Sequence, residues 1–452
     1  MTFRAGGIFS GMDTNSIIEQ LVQLERVPIQ NLQRRQSTIA QQRAVIGDIE
    51  TALEELSSLM EGMDDRGSLL SYLASSSNES ALTVRASGDA VAGSHSVTIQ
   101  QLARAEQDRS QAFSAAGDEV KAGTLTITVA GEDAVEVTIE DGDTLADVAY
   151  KINTSGARVT AVVVDTGTAA YLTLYAVDTG HQVGGSPSDA VVIQESYSGA
   201  SGQELSFTET VQAQNARFTF DGLDIERRSN TISDVVEGLE LTLLDDGGTP
   251  SVTVSVEPDS QQLQDNLQSF IDAYNRAASL LQVQLSYTEG ETTPVLFGDG
   301  TLRNLAMRLQ TVVSEQLGGG TGSFSTLGSV GVKLGEGGLL QLDQSTFDDA
   351  VARDFRGIAD VFLTADSGAF DHLGGVIDDY TNSVDGLFRY KKEALSDQDD
   401  NLAEQIDRME DRVAAYEQQL VAQFTYMETV IAQLQSQQGS LGSIYSLFSS
   451  GE

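Results

Sequence analysis

The chain has 452 residues, too many for one core and enough for about three domains. No run of about 18 apolar residues occurs, which argues against a membrane-spanning helix. The absence of cysteine excludes disulfides, thiolate metal sites and a thiol nucleophile. Twenty-six basic residues face 67 acidic ones, and the net charge of −41 repels DNA, RNA and anionic lipid, so neither nucleic acid nor membrane is expected as a partner. Two readings fit that charge. One is a solvated acidic surface. The other is adaptation to concentrated salt, where the screening length falls from roughly 10 Å at 0.1 M to about 3 Å at 1 M.

The opening residues, Met1 to Gly7, lack a basic region followed by an apolar core, so a cleaved secretory signal is not expected. Ser16 and Glu19 form a capping-box pattern ahead of Ile17 to Leu24, which predicts a helix. Pro28 is expected to end or kink it. A longer helix follows over 29–64, about 54 Å if continuous. Leu32, Ile39, Ile46, Leu53 and Met60 recur every seven residues, and so do Ile49, Leu56 and Met63. From Ile46 onward the spacing alternates three and four, the seam of a coiled coil. Arg35 and Gln42 occupy the matching earlier positions, so the first half of the seam is weak.

Between the chain ends the period changes to two. Strands are predicted at Val97 to Ile99, Leu125 to Val129, Val135 to Ile139, Val159 to Val164 and Leu172 to Leu174. More follow at Arg217 to Phe220, Leu239 to Leu243 and Val252 to Val256. Asp245-Asp246-Gly247-Gly248 marks a turn, and Gly180 to Gly202 reads as a loop. Helical periodicity returns at Gln261 to Leu285, Leu302 to Gln316 and Phe347 to Phe362. Near the C-terminus Leu395, Leu402, Met409 and Tyr416 recur every seven residues, interleaved with Ile406, Val413 and Leu420. The step from Leu420 to Phe424 is four where three is due, a stutter that locally unwinds a supercoil. Met427, Ile431, Leu434 and Leu441 continue the stripe.

Catalytic signatures are missing. Gly318-Gly319-Gly320-Thr321-Gly322 lacks the Lys-Ser/Thr of a phosphate loop and reads as a hinge. Asp141-Gly142-Asp143 starts like a calcium loop, but the later ligands do not follow, so it reads as a turn. The acid pairs Asp348-Asp349, Asp378-Asp379 and Asp399-Asp400 arise by abundance and are expected on solvated faces. Asn78-Glu79-Ser80 and Asn153-Thr154-Ser155 match the glycosylation sequon, a pattern too short to carry weight. No catalytic, cofactor-binding or metal residue is assigned, and no cofactor is expected.

The segment Gly11-Met12-Asp13-Thr14 through Pro28-Ile29 resembles the opening motif of the bacterial flagellar hook-associated protein 2 family, the filament cap proteins. Gly93 to Ala103 is similar to that family's first β segment. Gly142 to Asn153, with Leu172 to Leu174 and Thr179-Gly180, is similar to a repeat shared among flagellin and hook proteins. Phe218 to Gly222, Arg228 to Leu239, Phe270 to Asn275, Gly298-Asp299, Leu340 to Asp343 and Gln423 to Glu428 resemble the later motifs in the family's order. Asp221 departs from an Asn that is commoner before that Gly; either suits a turn.

The resemblance implies a chain exported unfolded by the flagellar type III apparatus and its chaperone, without a cleaved signal. It implies a ring, often of five copies, at the extracellular tip of the filament. Flagellin and the hook–filament junction protein are the implied partners. The fold class expected is α+β and multidomain. Residues 1–40 plus 393–452 would form a coiled-coil-like stalk, and 41–74 plus 259–392 a helical leg domain. Residues 75–107 plus 213–258 would form an inner β-rich head domain, and 108–212 an outer one holding the flagellin-like repeat. The assembly seam is assigned to Leu32, Ile39, Ile46, Ile49, Leu53, Leu56, Met60 and Met63, with Leu402, Ile406, Met409, Val413, Tyr416, Leu420, Phe424, Met427, Ile431 and Leu434 opposite. Residues of about 68–388 are expected to fold without the terminal helices. Another axial flagellar protein, such as a junction protein or flagellin, is the alternative, and an acid-based hydrolase a remote third.

Overall fold

The computed structural model describes residues 11–449, apart from 288, 291 and 319–321, with side chains up to 442. The opening seven residues, the ends of the expected stalk and the centre of the Gly318–Gly322 run lie outside the described residues. The chain divides into two units, residues 1–62 with 267–452, and residues 63–266.

The first unit starts with helix α1, Thr14–Glu61. Asp13, not Ser16, caps it: the Asp13 carboxylate accepts from the Ser16 backbone N–H at 3.1 Å. The helix therefore begins one turn fraction before the expected box. Pro28 neither ends nor divides it. The carbonyl that loses its donor belongs to Leu24, and both Leu24 and Pro28 are exposed, so water can satisfy it. The two helices expected before residue 64 are thus one, about 72 Å long.

The second unit holds the short helix α2 (Arg66–Leu69) and the strands. In chain order these are β1 (Tyr72–Ser76), β2 (Leu82–Ala86), β3 (Gly93–Gln101), β4 (Gln107–Arg109), β5 (Gly123–Val129) and β6 (Val135–Ile139). After helix α3 (Leu145–Thr154) come β7 (Val159–Asp165), β8 (Ala170–Ala176), β9 (Val191–Tyr197) and β10 (Thr208–Val211). The rest are β11 (Ala216–Phe220), β12 (Leu223–Arg227), β13 (Thr231–Ile232), β14 (Leu239–Leu243) and β15 (Val252–Pro258).

They form two lobes. The inner lobe has a five-stranded sheet, β1-β15-β3-β11-β12, and a three-stranded one, β13-β14-β2. Asp221 and Gly222 both have positive φ and form the two-residue turn from β11 to β12, with Phe220 paired to Leu223. The outer lobe has β10-β4-β8-β7 and β6-β5-β9, with α3 packed against the sheets. Phe113, Leu125, Ile127, Val137, Leu145, Val148, Ile152, Leu172 and Leu174 fill its core. Thr144 and Asp147 make a capping box that starts α3. Asn153 closes the helix against the free edge of β7: its amide both donates to and accepts from the Ala161 backbone, at 2.8 and 2.7 Å. That sequon asparagine is exposed, and its amide is engaged by the Ala161 backbone.

The expected loop over 180–202 contains β9, a correction. Every residue from Val191 to Tyr197 pairs with β5, whose long alternating strand supplies the partner that the Gly- and Ser-rich surroundings concealed. Asp141-Gly142-Asp143 is a turn, with Asp143 accepting from the Glu140 N–H and from Lys151.

The chain returns to the first unit through α4 (Ser260–Leu285), then α5 (Gly300–Ser314), the hairpin β16 (Val332–Leu334) and β17 (Leu340–Leu342), α6 (Gln344–Leu363), α7 (Ala369–Thr381) and α8 (Leu387–Ser449). Phe270, Phe362 and Phe370 meet at ring separations of 5.3–6.1 Å. Asn275 clamps the hairpin by a two-way bond to the Leu340 backbone. Ile46, Ile49, Leu53 and Leu56 of α1 are fully buried in this unit, and α1 packs on α7. This corrects the expectation that 68–388 folds alone, because such a piece lacks one wall of its own core.

Glu106 and Asp108 are buried in the outer lobe, 3% and 6% exposed. They lie two apart on one face, and Glu209 of β10 stands opposite Asp108. Burial pushes Glu106 up to about 8, with the charges of Asp108 and Glu209 adding to it; burial then Glu209 push Asp108 up to about 6. The folded carboxyls hold protons that the unfolded ones release, so stability falls as pH rises from about 4 to about 8. Calorimetry at pH 5 and 8 should show a lower melting temperature at pH 8. Glu106→Gln should match the parent at pH 5 and exceed it at pH 8. Equal pH dependence in both proteins would contradict this.

Candidate functional site: the paired terminal helices

Apolar rows on α1 and α8 meet along an antiparallel pair. Ile18, Val22, Ile29, Ile406, Val413 and Leu420 form one buried cluster, with Ile29 beside Val413, and Leu32, Met409, Tyr416 and Phe424 line it. The direction is fixed by contacts along its length: Gln36 reaches the Asp399 carbonyl, and Lys392 pairs with Glu50. Fully buried aliphatic side chains each contribute roughly 1.5–3 kcal/mol, which makes this row the main attraction between the two helices.

The assigned seam residues fall as follows. Ile39, Ile46, Ile49, Leu53, Leu56, Met60 and Met63 are buried, and Leu32 is half-buried. Met63 lies beyond the end of α1. On α8, Ile406, Val413 and Leu420 are buried; Leu402, Met409, Tyr416, Phe424, Met427 and Ile431 are half-buried. Leu434 is 58% exposed, a correction within the single chain. The antiparallel register carries Leu434 past the position on α8 that faces Thr14, the first residue of α1.

Ile18, Val22 and Ile29 were missed as seam positions. Their signal was present, since the three-and-four spacing runs across Pro28, but reading the proline as a boundary hid it. The weak stretch is real in another sense: Gln36 is half-buried in the pair, and Gln42 donates to the Val295 carbonyl at 2.8 Å.

Grooves flank the pair. One of about 910 Å³ is lined by Glu19, Gln23, Leu24, Val27, Gln30 and Glu417. A second of about 330 Å³ lies beside Ile29, Val413 and Glu410, and a third of about 430 Å³ beside Ile39, Leu402 and Arg35. Leu24 is 68% exposed in the first groove. Elsewhere the chemistry is sparse. Among the described residues no group of His, Cys, Asp or Glu could hold a metal ion, and no helix is long and apolar enough to cross a membrane. Asp348, Asp349, Asp378, Asp379 and Asp400 are exposed and Asp399 is half-buried; Asp379 pairs with Arg308 at 2.6 Å.

Long terminal helices paired with each other, a helical block and a β-rich insert define a multidomain structural subunit. Residues 213–436 match the family described as Flagellar hook-associated protein 2 C-terminus, and residues 10–106 match Flagellar hook-associated protein 2 N-terminus. Residues 124–178 match the Flagellin hook IN motif. The chain belongs to the flagellar hook-associated protein 2 family. It is 27% identical to the A-type flagellar hook-associated protein 2 of Pseudomonas aeruginosa, over 96% of this chain and 95% of that one. It is 24% identical to the flagellar hook-associated protein 2 of Escherichia coli K12, over 95% of each. The fold resembles the crystal structure of the flagellar cap protein FliD D1-D2-D3 domains from Escherichia coli, with a TM-score of 0.68 and 23% identity, over 78% of this chain and 99% of that one.

Substitutions separate the buried row from the exposed one. Leu53→Asp or Val413→Asp places a carboxylate in an apolar seam at a cost of several kcal/mol. Circular dichroism should show lost helix in both, and Leu434→Asp should leave helix content unchanged. Unchanged helix in the first two would contradict the assigned packing.

Proposed function

We propose that this chain caps the growing flagellar filament. Copies form a ring, of five in the simplest arrangement, at the extracellular tip; the ring retains exported flagellin and promotes its folding and insertion. The observation that carries this reading is the α1–α8 pair: a long helical leg with one buried seam, apolar side chains left at its surface, and a stutter where its packing changes. Grooves beside such a pair suit a third helix from a neighbouring subunit or from flagellin. The protein acts by position and shape rather than by bond chemistry.

In this reading residues 1–40 with 393–452 form the stalk, and 41–74 with 259–392 the leg domain. Residues 75–107 with 213–258 form the inner head domain, and 108–212 the outer. The chain leaves the cell through the flagellar export apparatus, delivered by a chaperone and without a cleaved signal. It meets the hook–filament junction protein before the first flagellin arrives. The seam residues named above hold the leg together.

The test is filament growth. Purified full-length protein added to cap-free filament ends with flagellin should restore elongation, and the Val413→Asp variant should not. Elongation that is indifferent to the protein, or polymerisation of this chain by itself into filaments, would contradict the reading. Charge adds a second expectation. Subunits at −41 repel one another, and screening shortens about threefold between 0.1 M and 1 M salt. Sedimentation should show stronger self-association at 1 M. Stronger association at low salt would mean that attractive ion pairs dominate.

A further inference from the structure

The outer lobe is joined to the inner one by two chain crossings, residues 102–106 outward and 212–215 on return. Short crossings alone would leave the lobe free to swing. Here they are bound to each other: the Arg104 N–H donates to the Gln214 carbonyl at 2.7 Å, and the Gln214 N–H donates to the Arg104 carbonyl at 3.0 Å. The Gln214 side chain adds a bond to the Leu102 carbonyl at 2.9 Å.

Asn215 then reaches both lobes. It is 1% exposed. Its side-chain oxygen accepts from the His181 backbone N–H of the outer lobe at 2.8 Å. Its amide nitrogen donates to Glu226 of β12, in the inner lobe, at 2.7 Å. Its backbone carbonyl accepts from Gln101 at the end of β3, again at 2.7 Å. The outer-lobe segment is seated from both sides, because Thr179 donates to the Arg228 carbonyl at 2.6 Å and the Gly180 N–H donates to the Arg104 carbonyl at 3.0 Å. Asn230 secures the outward crossing by a two-way bond to the Ala103 backbone.

Sterics favour the same seat. Gly180 has φ +71°, and a Cβ there would stand 2.4 Å from the Asn215 side-chain oxygen and 2.7 Å from the Arg228 carbonyl. Only glycine lets the outer-lobe segment approach this closely. The amide of Asn215 matches its neighbours in a way a carboxylate could not, since one end accepts and the other donates. Leaving either partner without its bond weakens the joint.

We propose that Asn215 is a latch that locks the outer lobe to the inner one, so that the two move as a single head, through the hydrogen bonds of its side-chain amide. The bonds made by outer-lobe residues 179–181 join neutral groups, and the charged partner of Asn215, Glu226, pairs with Arg217 of the inner lobe at 3.5 Å. The latch does not rest on the cap reading, and its test does not use filament growth.

Hydrogen exchange on the full chain reads the joint directly. In Asn215→Ala, amides of the two crossings should exchange about tenfold faster or more, while β5, β8 and β15 keep their protection. Glu226→Ala, at the half-buried edge of β12, should loosen the same crossings to a smaller extent and covers the case in which the first variant folds poorly. In the parent protein, crossing protection should be the same at 0.1 M and 1 M salt. Unchanged exchange at the crossings in both variants would overturn the latch. So would loss of protection throughout the lobe cores in both variants, or parent protection that rises with salt.

Discussion

Everything in the helical unit depends on one apolar row. Between residues 397 and 417 α8 carries Asp397, Asp399, Asp400, Glu404, Asp407, Glu410, Asp411 and Glu417, whereas the part of α1 that pairs with it, residues 14–45, carries four Arg and two Glu. Charge opposition of this kind lies at the helix surfaces, where solvent and salt leave it little to contribute. The burial of Ile18, Val22 and Ile29 in one cluster with Ile406, Val413 and Leu420 supplies a non-directional attraction that salt does not weaken. The same row continues into the helical block, where Ile46 to Leu56 complete a core shared with α7. A leg and a folded domain are therefore one continuous helix doing two jobs.

The β-rich unit answers a different constraint, that of carrying polar groups inside a thin fold. Its two lobes are joined largely by backbone and side-chain amides, and burial favours protonation of Glu106 and Asp108. The exposed Glu209 on the edge strand β10 also makes that sheet edge a poor template for another strand. Asn153 covers the opposite edge at β7. The outer lobe thus limits its own edges with side chains that the alternating strand pattern does not advertise.

Much of the fold was legible because its signals are periodic. Heptads placed the long helices, and alternation placed β5, β7, β11, β14 and β15. What was misread had a local signal that tertiary structure overrides. Pro28 is a strong breaker, yet on an exposed face its lost hydrogen bond falls to water. Val191 to Tyr197 sits among Gly and Ser, yet β5 pairs with all of it. α7 was not read at all, since Gly374 and Gly375 interrupt its stripe. The seam was legible as spacing, but its limits were not: how far along α8 it runs is set by where α1 begins, at Thr14. The lobe joint was invisible, because Asn215, His181 and Glu226 become neighbours only when β8 and β12 are folded.

The antiparallel register of α1 and α8 within one chain is the claim on which the account turns. A chain without cysteine accepts a reporter pair cleanly. Ile29→Cys with Val413→Cys, oxidised in dilute solution, should form an intramolecular disulfide, seen as a mobility shift of the monomer on a non-reducing gel, whereas Ile18→Cys with Val413→Cys should not. Crosslinking of the second pair in place of the first, or only between molecules, would contradict it.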